Sequence, residues 1–91
     1  MKCKWTKHAS ERQKQWHVIL GISREEIEEI VLNPAQVVPG DIKVQIAQTK
    51  IGGGLLRVPF IKENDDRKIL TVYWTSKIDK YWRKTSHEDK I

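Results

Sequence analysis

The chain carries one cysteine and one methionine among 91 residues, with three prolines and five glycines. A single thiol, Cys3, excludes an internal disulfide framework and any metal site built from several cysteines. No apolar run approaches the ~18 residues that a membrane-spanning helix needs. The start shows no signal-peptide pattern. Internal repeats and low-complexity segments are also missing. The expectation is a cytoplasmic protein without membrane contact, in which Cys3 is a free thiol. His8, His17 and His87 have no metal-ligand spacing. There is no GxSxG, and no carboxylate pair is set in an apolar context. No metal or other cofactor is expected.

What is present is positive charge. Seventeen Lys and Arg stand against twelve Asp and Glu, a net charge of +5. Such a balance favours polyanions through counterion release, so nucleic acid is the first partner to consider. The charges are unevenly spread. Acidic residues gather at Glu25, Glu26, Glu28 and Glu29 and again at Asp65-Asp66. Lys2, Lys4 and Lys7 mark one end; Lys77, Lys80, Arg83, Lys84 and Lys90 mark the other. A surface of this kind can meet RNA on one side and a protein on the other. The length fits one domain, 1–91, with a compact part at 7–84 and frayed ends at 1–6 and 85–91. Four Trp, two Tyr and one Phe are expected to supply much of its small core.

Two helices come first. Ala9, Arg12, Trp16 and Ile19 form one stripe of a helix over 7–19, with Thr6 as its N-cap and Gly21 suited to the left-handed C-terminal position. Ser23 and Glu26 then make a capping box, and Ile22 with Ile27 a hydrophobic staple. The second helix runs from about Arg24 to Leu32, with Ile27, Ile30 and Val31 inward and Glu25, Glu28 and Glu29 facing water. Pro34 stops it.

Extended segments follow. Gln36 to Pro39 is short and closed by Pro39-Gly40. Ile42, Val44 and Ile46 alternate with Lys43, Gln45 and Ala47; Leu56, Val58 and Phe60 alternate with Arg57 and Pro59. Leu70, Val72 and Trp74 complete the set after a polar turn at 62–67. Lys50 to Gly54 reads as a hairpin connection, since no GK[ST] and no helix follow its glycines. Ser76 to Arg83 is expected to form a short helix. The fold class is therefore α+β, two N-terminal helices on one face of a three- to four-stranded antiparallel sheet, with a short C-terminal helix or turn. By parity, Ile42, Val44, Ile46, Leu56, Val58, Phe60, Leu70, Val72 and Trp74 lie beneath the helices. Lys43, Gln45, Arg57, Thr71 and Tyr73 would occupy the other face.

The residues suited to a phosphodiester are His8, Arg12, Lys43, Arg57, Tyr73, Lys77 and Tyr81. Metal-free RNA cleavage needs a base for the 2′-hydroxyl proton, a cation for the developing phosphorane charge and an acid for the leaving oxygen. His, Lys and Tyr can share the proton roles, while Arg holds phosphate through paired N–H groups. Bases can stack on Tyr73 or on an exposed tryptophan. Each of these residues also has an ordinary structural reading, as surface charge or core aromatic.

The order of short motifs adds to this. His8-Ala9-Ser10-Glu11-Arg12, Gly21-Ile22-Ser23 to Asn33-Pro34, Leu56-Arg57-Val58 and Thr71-Val72-Tyr73-Trp74-Thr75-Ser76 resemble a small prokaryotic family with an HAxxR helix and a closing strand followed by K/R-x-x-Y. That family is similar in layout to BrnT-type toxins of the RelE/ParE superfamily, and the resemblance spans about residues 7–83. It implies a compact α+β domain acting as a metal-independent endoribonuclease toxin, neutralised by a cognate antitoxin. Carried over, His8, Arg12, Arg57, Lys77 and Tyr81 would be the catalytic set. Lys43, Tyr73, Lys80 and Arg83 are basic or aromatic groups expected to contact the RNA. Thr75-Ser76-Lys77 places a lysine where BrnT-like chains carry an arginine. The alternative is a non-catalytic nucleic-acid-binding or protein-interaction module on the same scaffold.

Overall fold

The computed structural model of the chain describes residues 2–83. In chain order it comprises β1 (Cys3–Trp5), α1 (Lys7–Leu20), α2 (Arg24–Leu32), β2 (Gln36–Pro39), β3 (Val44–Ile51), β4 (Gly54–Glu63), β5 (Asp66–Ile69), β6 (Tyr73–Thr75) and α3 (Ile78–Tyr81). The class is α+β, with α1 and α2 packed against a six-stranded sheet in the order β1-β5-β4-β3-β2, β6 pairing with β4. The sheet is mixed, because β1 runs parallel to β5 while every other pair is antiparallel. The expectation of three to four antiparallel strands is corrected to this larger, mixed arrangement.

The helix boundaries follow from their caps. The Thr6 hydroxyl accepts from the Ala9 N–H at 3.0 Å, and Gly21 closes α1 at φ 70°. Ser23 and Glu26 exchange both bonds of the capping box at the start of α2. The buried stripe of α1 differs from the expected one. Ala9 and Gln13 are buried and Trp16 and Leu20 pack against the core, whereas Arg12 and Ile19 face solvent. Gln13 is tolerated inside because its amide donates to the Ile22 carbonyl at 3.0 Å, a buried polar group with its partner supplied.

Residues 3–5, expected to be frayed, instead extend the sheet. Thr6 anchors them: its N–H donates to the Ile69 carbonyl and its hydroxyl to that of Leu70. The Trp5 indole N–H donates to Glu28 at 2.7 Å, so Glu28 is drawn from solvent to fix the strand. The expectation of fraying at 85–91 lies outside the described residues.

Two strand parities also change. In β3 it is Ala47 that is fully buried against the helices, in register with Val58. Val44 and Ile46 point to the other face, where Ile46 pairs with buried Val38, and Ile42 is 90% exposed in the preceding turn. The second discrepancy lies after β5. Phe60 pairs with Ile69 and Arg57 with Tyr73, so two residues of β4 oppose three, Leu70 to Val72. This one-residue bulge falls opposite Pro59, which has no N–H to offer that neighbour and only accepts from Leu70. As a result Ile69, Val72 and Trp74 join the core, and Leu70 does not.

Gly52 and Gly53 turn the β3–β4 hairpin with φ of 57° and 77°, the primed geometry that suits a two-residue connection. Gly54 is needed for another reason. A Cβ there would lie 2.3 Å from the Thr75 carbonyl oxygen and 2.5 Å from the Trp74 ring.

Candidate functional site

The strand register assembles a polar row on the sheet face opposite α1 and α2. Gln36 pairs with Gln48, Gln48 with Arg57 and Arg57 with Tyr73, so one side chain from each of β2, β3, β4 and β6 stands side by side. Arg57 lies between Leu56 and Val58, both fully buried on the helix side. Alternation along the strand therefore sends its side chain the other way.

Arg57 is only 6% exposed. Its Nε–H donates to Gln48 Oε1 at 2.9 Å, and a terminal N–H donates to the Tyr73 hydroxyl. The Tyr81 ring covers the guanidinium at 4.1 Å from its centroid, with Tyr73 at 5.5 Å. Among the described residues the ion pairs are those of Lys4 with Glu63 and Asp66; none involves Arg57. A buried cation without an acid is costly unless neutral acceptors and π faces surround it. Here they do, and among the described residues no carboxylate neutralises the charge.

The amides continue the row. Gln48 Nε2 donates to Gln36 Oε1 at 2.6 Å and to the Tyr81 carbonyl at 3.0 Å. Gln36 takes the Arg83 N–H at 2.8 Å and returns a bond to the Arg83 carbonyl. Lys50, on the same face of β3, stands 4.6 Å from the Trp82 ring centre. Lys80 lies 5.2 Å from the Tyr81 ring centre.

Of the nine residues expected to act, the structure gathers Arg57, Tyr73, Tyr81 and Lys80, with Arg83 held by its backbone. Lys77 precedes α3 as an exposed residue whose N–H donates to Thr75. His8 and Arg12 are exposed on α1, across the sheet from Arg57, and among the described residues the Arg12 side chain bonds only to Gln15. Lys43 sits at φ 66° in the turn before β3. From Val44 to Gln48 the strand runs a further ~13 Å, so Lys43 does not join the row. Gln45, expected beside Arg57, points to the helix side in register with Phe60. The second face is also less polar than expected, since Leu55 and Val38 are buried on it.

Gln36, Gln48 and Lys50 carry no sequence signal of their own; only the register reveals them. Among the described residues no cluster of three or more His, Cys, Asp or Glu side chains is placed to hold a metal, and no helix is long and apolar enough to cross a membrane. No family model, curated protein or solved structure matches the chain.

Proposed function

We propose that the protein is a toxin of the RelE/BrnT kind, which takes RNA on the sheet face bearing Arg57 and cleaves it without a metal. A cognate antitoxin would neutralise it. The observation that supports this is Arg57 itself, a guanidinium without an acidic partner among the described residues, set between two phenols with Lys50 and Lys80 nearby on the same face. Arg57 would hold the scissile phosphate and stabilise the phosphorane. The Tyr73 oxygen accepts from Arg57, which leaves its own proton to donate to the departing 5′ oxygen. Lys80, the lysine that α3 brings beside Tyr81, would take the 2′-hydroxyl proton. The 2′ oxygen then bonds to phosphorus as the P–O5′ bond breaks, giving a cyclic phosphate and a free 5′-hydroxyl. Tyr81 would stack a base. The acidic outer side of α2, with Glu25 and Glu29 exposed on the helix layer, is a separate surface suited to a protein partner.

One observation favours a second reading, a non-catalytic nucleic-acid-binding module. His8 and Arg12 belong to the other side of the sheet, so the motif's histidine does not reach Arg57. The two readings separate on incubating the pure protein with a labelled RNA in excess chelator. Cleavage that vanishes in Arg57→Gln and persists in His8→Ala supports the toxin. Saturable, salt-sensitive binding without cleavage supports the module. Neither cleavage nor binding at low salt overturns both.

A further inference from the structure

Arg57 is too enclosed to receive a phosphate as it stands, and what encloses it is a short segment with little of its own to hold it. Residues Lys77–Arg83 cross the polar row as a strap. α3 within it has four residues, no side-chain cap and no buried residue. A helix so short has no stability of its own. The strap is held instead by what it touches. Gln36 grips both backbone polar groups of Arg83, Gln48 donates to the Tyr81 carbonyl, and the Tyr81 and Trp82 rings rest against Arg57 and Lys50. These are neutral hydrogen bonds and cation–π contacts, the kind of attachment that opens locally at a small fraction of global stability.

We propose that the strap is an autoinhibitory gate. Closed, it lays the Tyr81 ring on the guanidinium where a phosphate would go. Shifted outward, it exposes Arg57 and frees Lys50, so that an RNA phosphate takes the ring's place on the cation while the displaced Tyr81 stacks on a base and Lys80 stays at the edge of the site. This rests on the reading of the site proposed above. It adds that Gln36, which touches no substrate, sets the access of RNA to Arg57. Weakening the latch therefore raises affinity, although it removes hydrogen bonds from the protein.

The test uses the full chain, unaltered and as Gln36→Ala, with Trp82→Ala as an independent way of loosening the same segment. Modification of Arg57 by a dicarbonyl reagent, followed by mass spectrometry, reads access without RNA. It should be roughly tenfold faster in either variant, the effect of losing one or two neutral hydrogen bonds or an equivalent ring contact. The amide of Val58 should keep its slow hydrogen exchange, which separates opening of the strap from unfolding. Equal modification rates in all three proteins overturn the gate. A short labelled oligouridylate is then titrated, and Q36A should bind it more tightly. Unchanged or weaker binding despite faster modification also overturns the proposal. If none of the proteins binds the oligouridylate, it is the RNA reading of the site that fails, and the modification rates still decide whether the strap closes over Arg57.

Discussion

Gln48 and Arg57 face each other across β3 and β4, and the Arg57 Nε–H donates to Gln48 Oε1 at 2.9 Å. Through its other amide atom Gln48 reaches Gln36 and the Tyr81 carbonyl, so one side chain seats both the cation and the strap above it. Gln48→Leu should destabilise the fold by about 2–3 kcal/mol, because it leaves a charged donor buried without its acceptor. Gln48→Glu should retain most of the stability by setting a carboxylate beside the guanidinium, and should weaken RNA binding by occupying that charge. Urea denaturation and RNA titration of the two variants check this. A Q48E protein that binds RNA as well as the unaltered chain would contradict the role given to Arg57.

The hairpin glycines give a second expectation. At Gly54 an added Cβ meets the Thr75 backbone and the Trp74 ring, whereas at Gly53 nothing lies within 4 Å and only φ 77° opposes it. Gly54→Ala should therefore cost more, about 2–3 kcal/mol from overpacking, against about 1–2 kcal/mol for the left-handed strain at Gly53. Thermal unfolding of the two variants ranks them. The reverse order would show that β6 does not press on β4 as described.

Thr6 serves two elements at once. Its hydroxyl caps α1 by accepting from Ala9, and it donates to Leu70 at the β5–β6 bulge. Thr6→Ala should cost about 1–2 kcal/mol, towards the upper part of the range for a lost N-cap. Thr6→Ser should recover most of it. A serine variant as unstable as the alanine one would point to the methyl group instead of the hydroxyl.

Burial pushes the Cys3 thiol up, and the nearby Glu28 carboxylate adds to the shift while Arg67 opposes it. The folded state therefore holds the thiol proton more tightly than the unfolded chain does. The resulting stability is fully present below the ordinary thiol value and declines as pH rises from there through the raised folded value. Alkylation of Cys3 at pH 8 should be slower in the folded protein than in urea, and Glu28→Gln should bring the two rates closer. Equal rates in both states would remove the effect.

The helices were legible because their signals are local. Thr6, Gly21, the Ser23–Glu26 box and Pro34 each act within one turn of backbone, and each boundary stands where those residues put it. The sheet was legible only where parity is unbroken. Arg57 and Tyr73 were expected on one face and share it. The bulge at Leu70–Val72 depends on Pro59, ten or more residues earlier, and parity counted along one strand cannot register it. The orientation of β3 likewise follows from its pairing with β4, which puts Ala47 beside Val58 on the helix side and Val44 and Ile46 on the other, and alternation along β3 alone fits either face. Gln36 and Gln48 became site residues through pairing alone, and β1 was hidden because three residues carry no period.

Whether RNA lies on the Arg57 face is decided by its affinity at several salt concentrations for the unaltered chain, Arg57→Gln and the double variant His8→Ala, Arg12→Ala, each first shown to be folded by circular dichroism. Arg57→Gln should lose at least about tenfold in affinity and show a salt slope shallower by about 1, as expected for one phosphate contact removed. The double variant should bind much as the unaltered chain does. If the double variant loses binding while Arg57→Gln retains it, the RNA lies on the helix side of the sheet and the site assigned here is wrong.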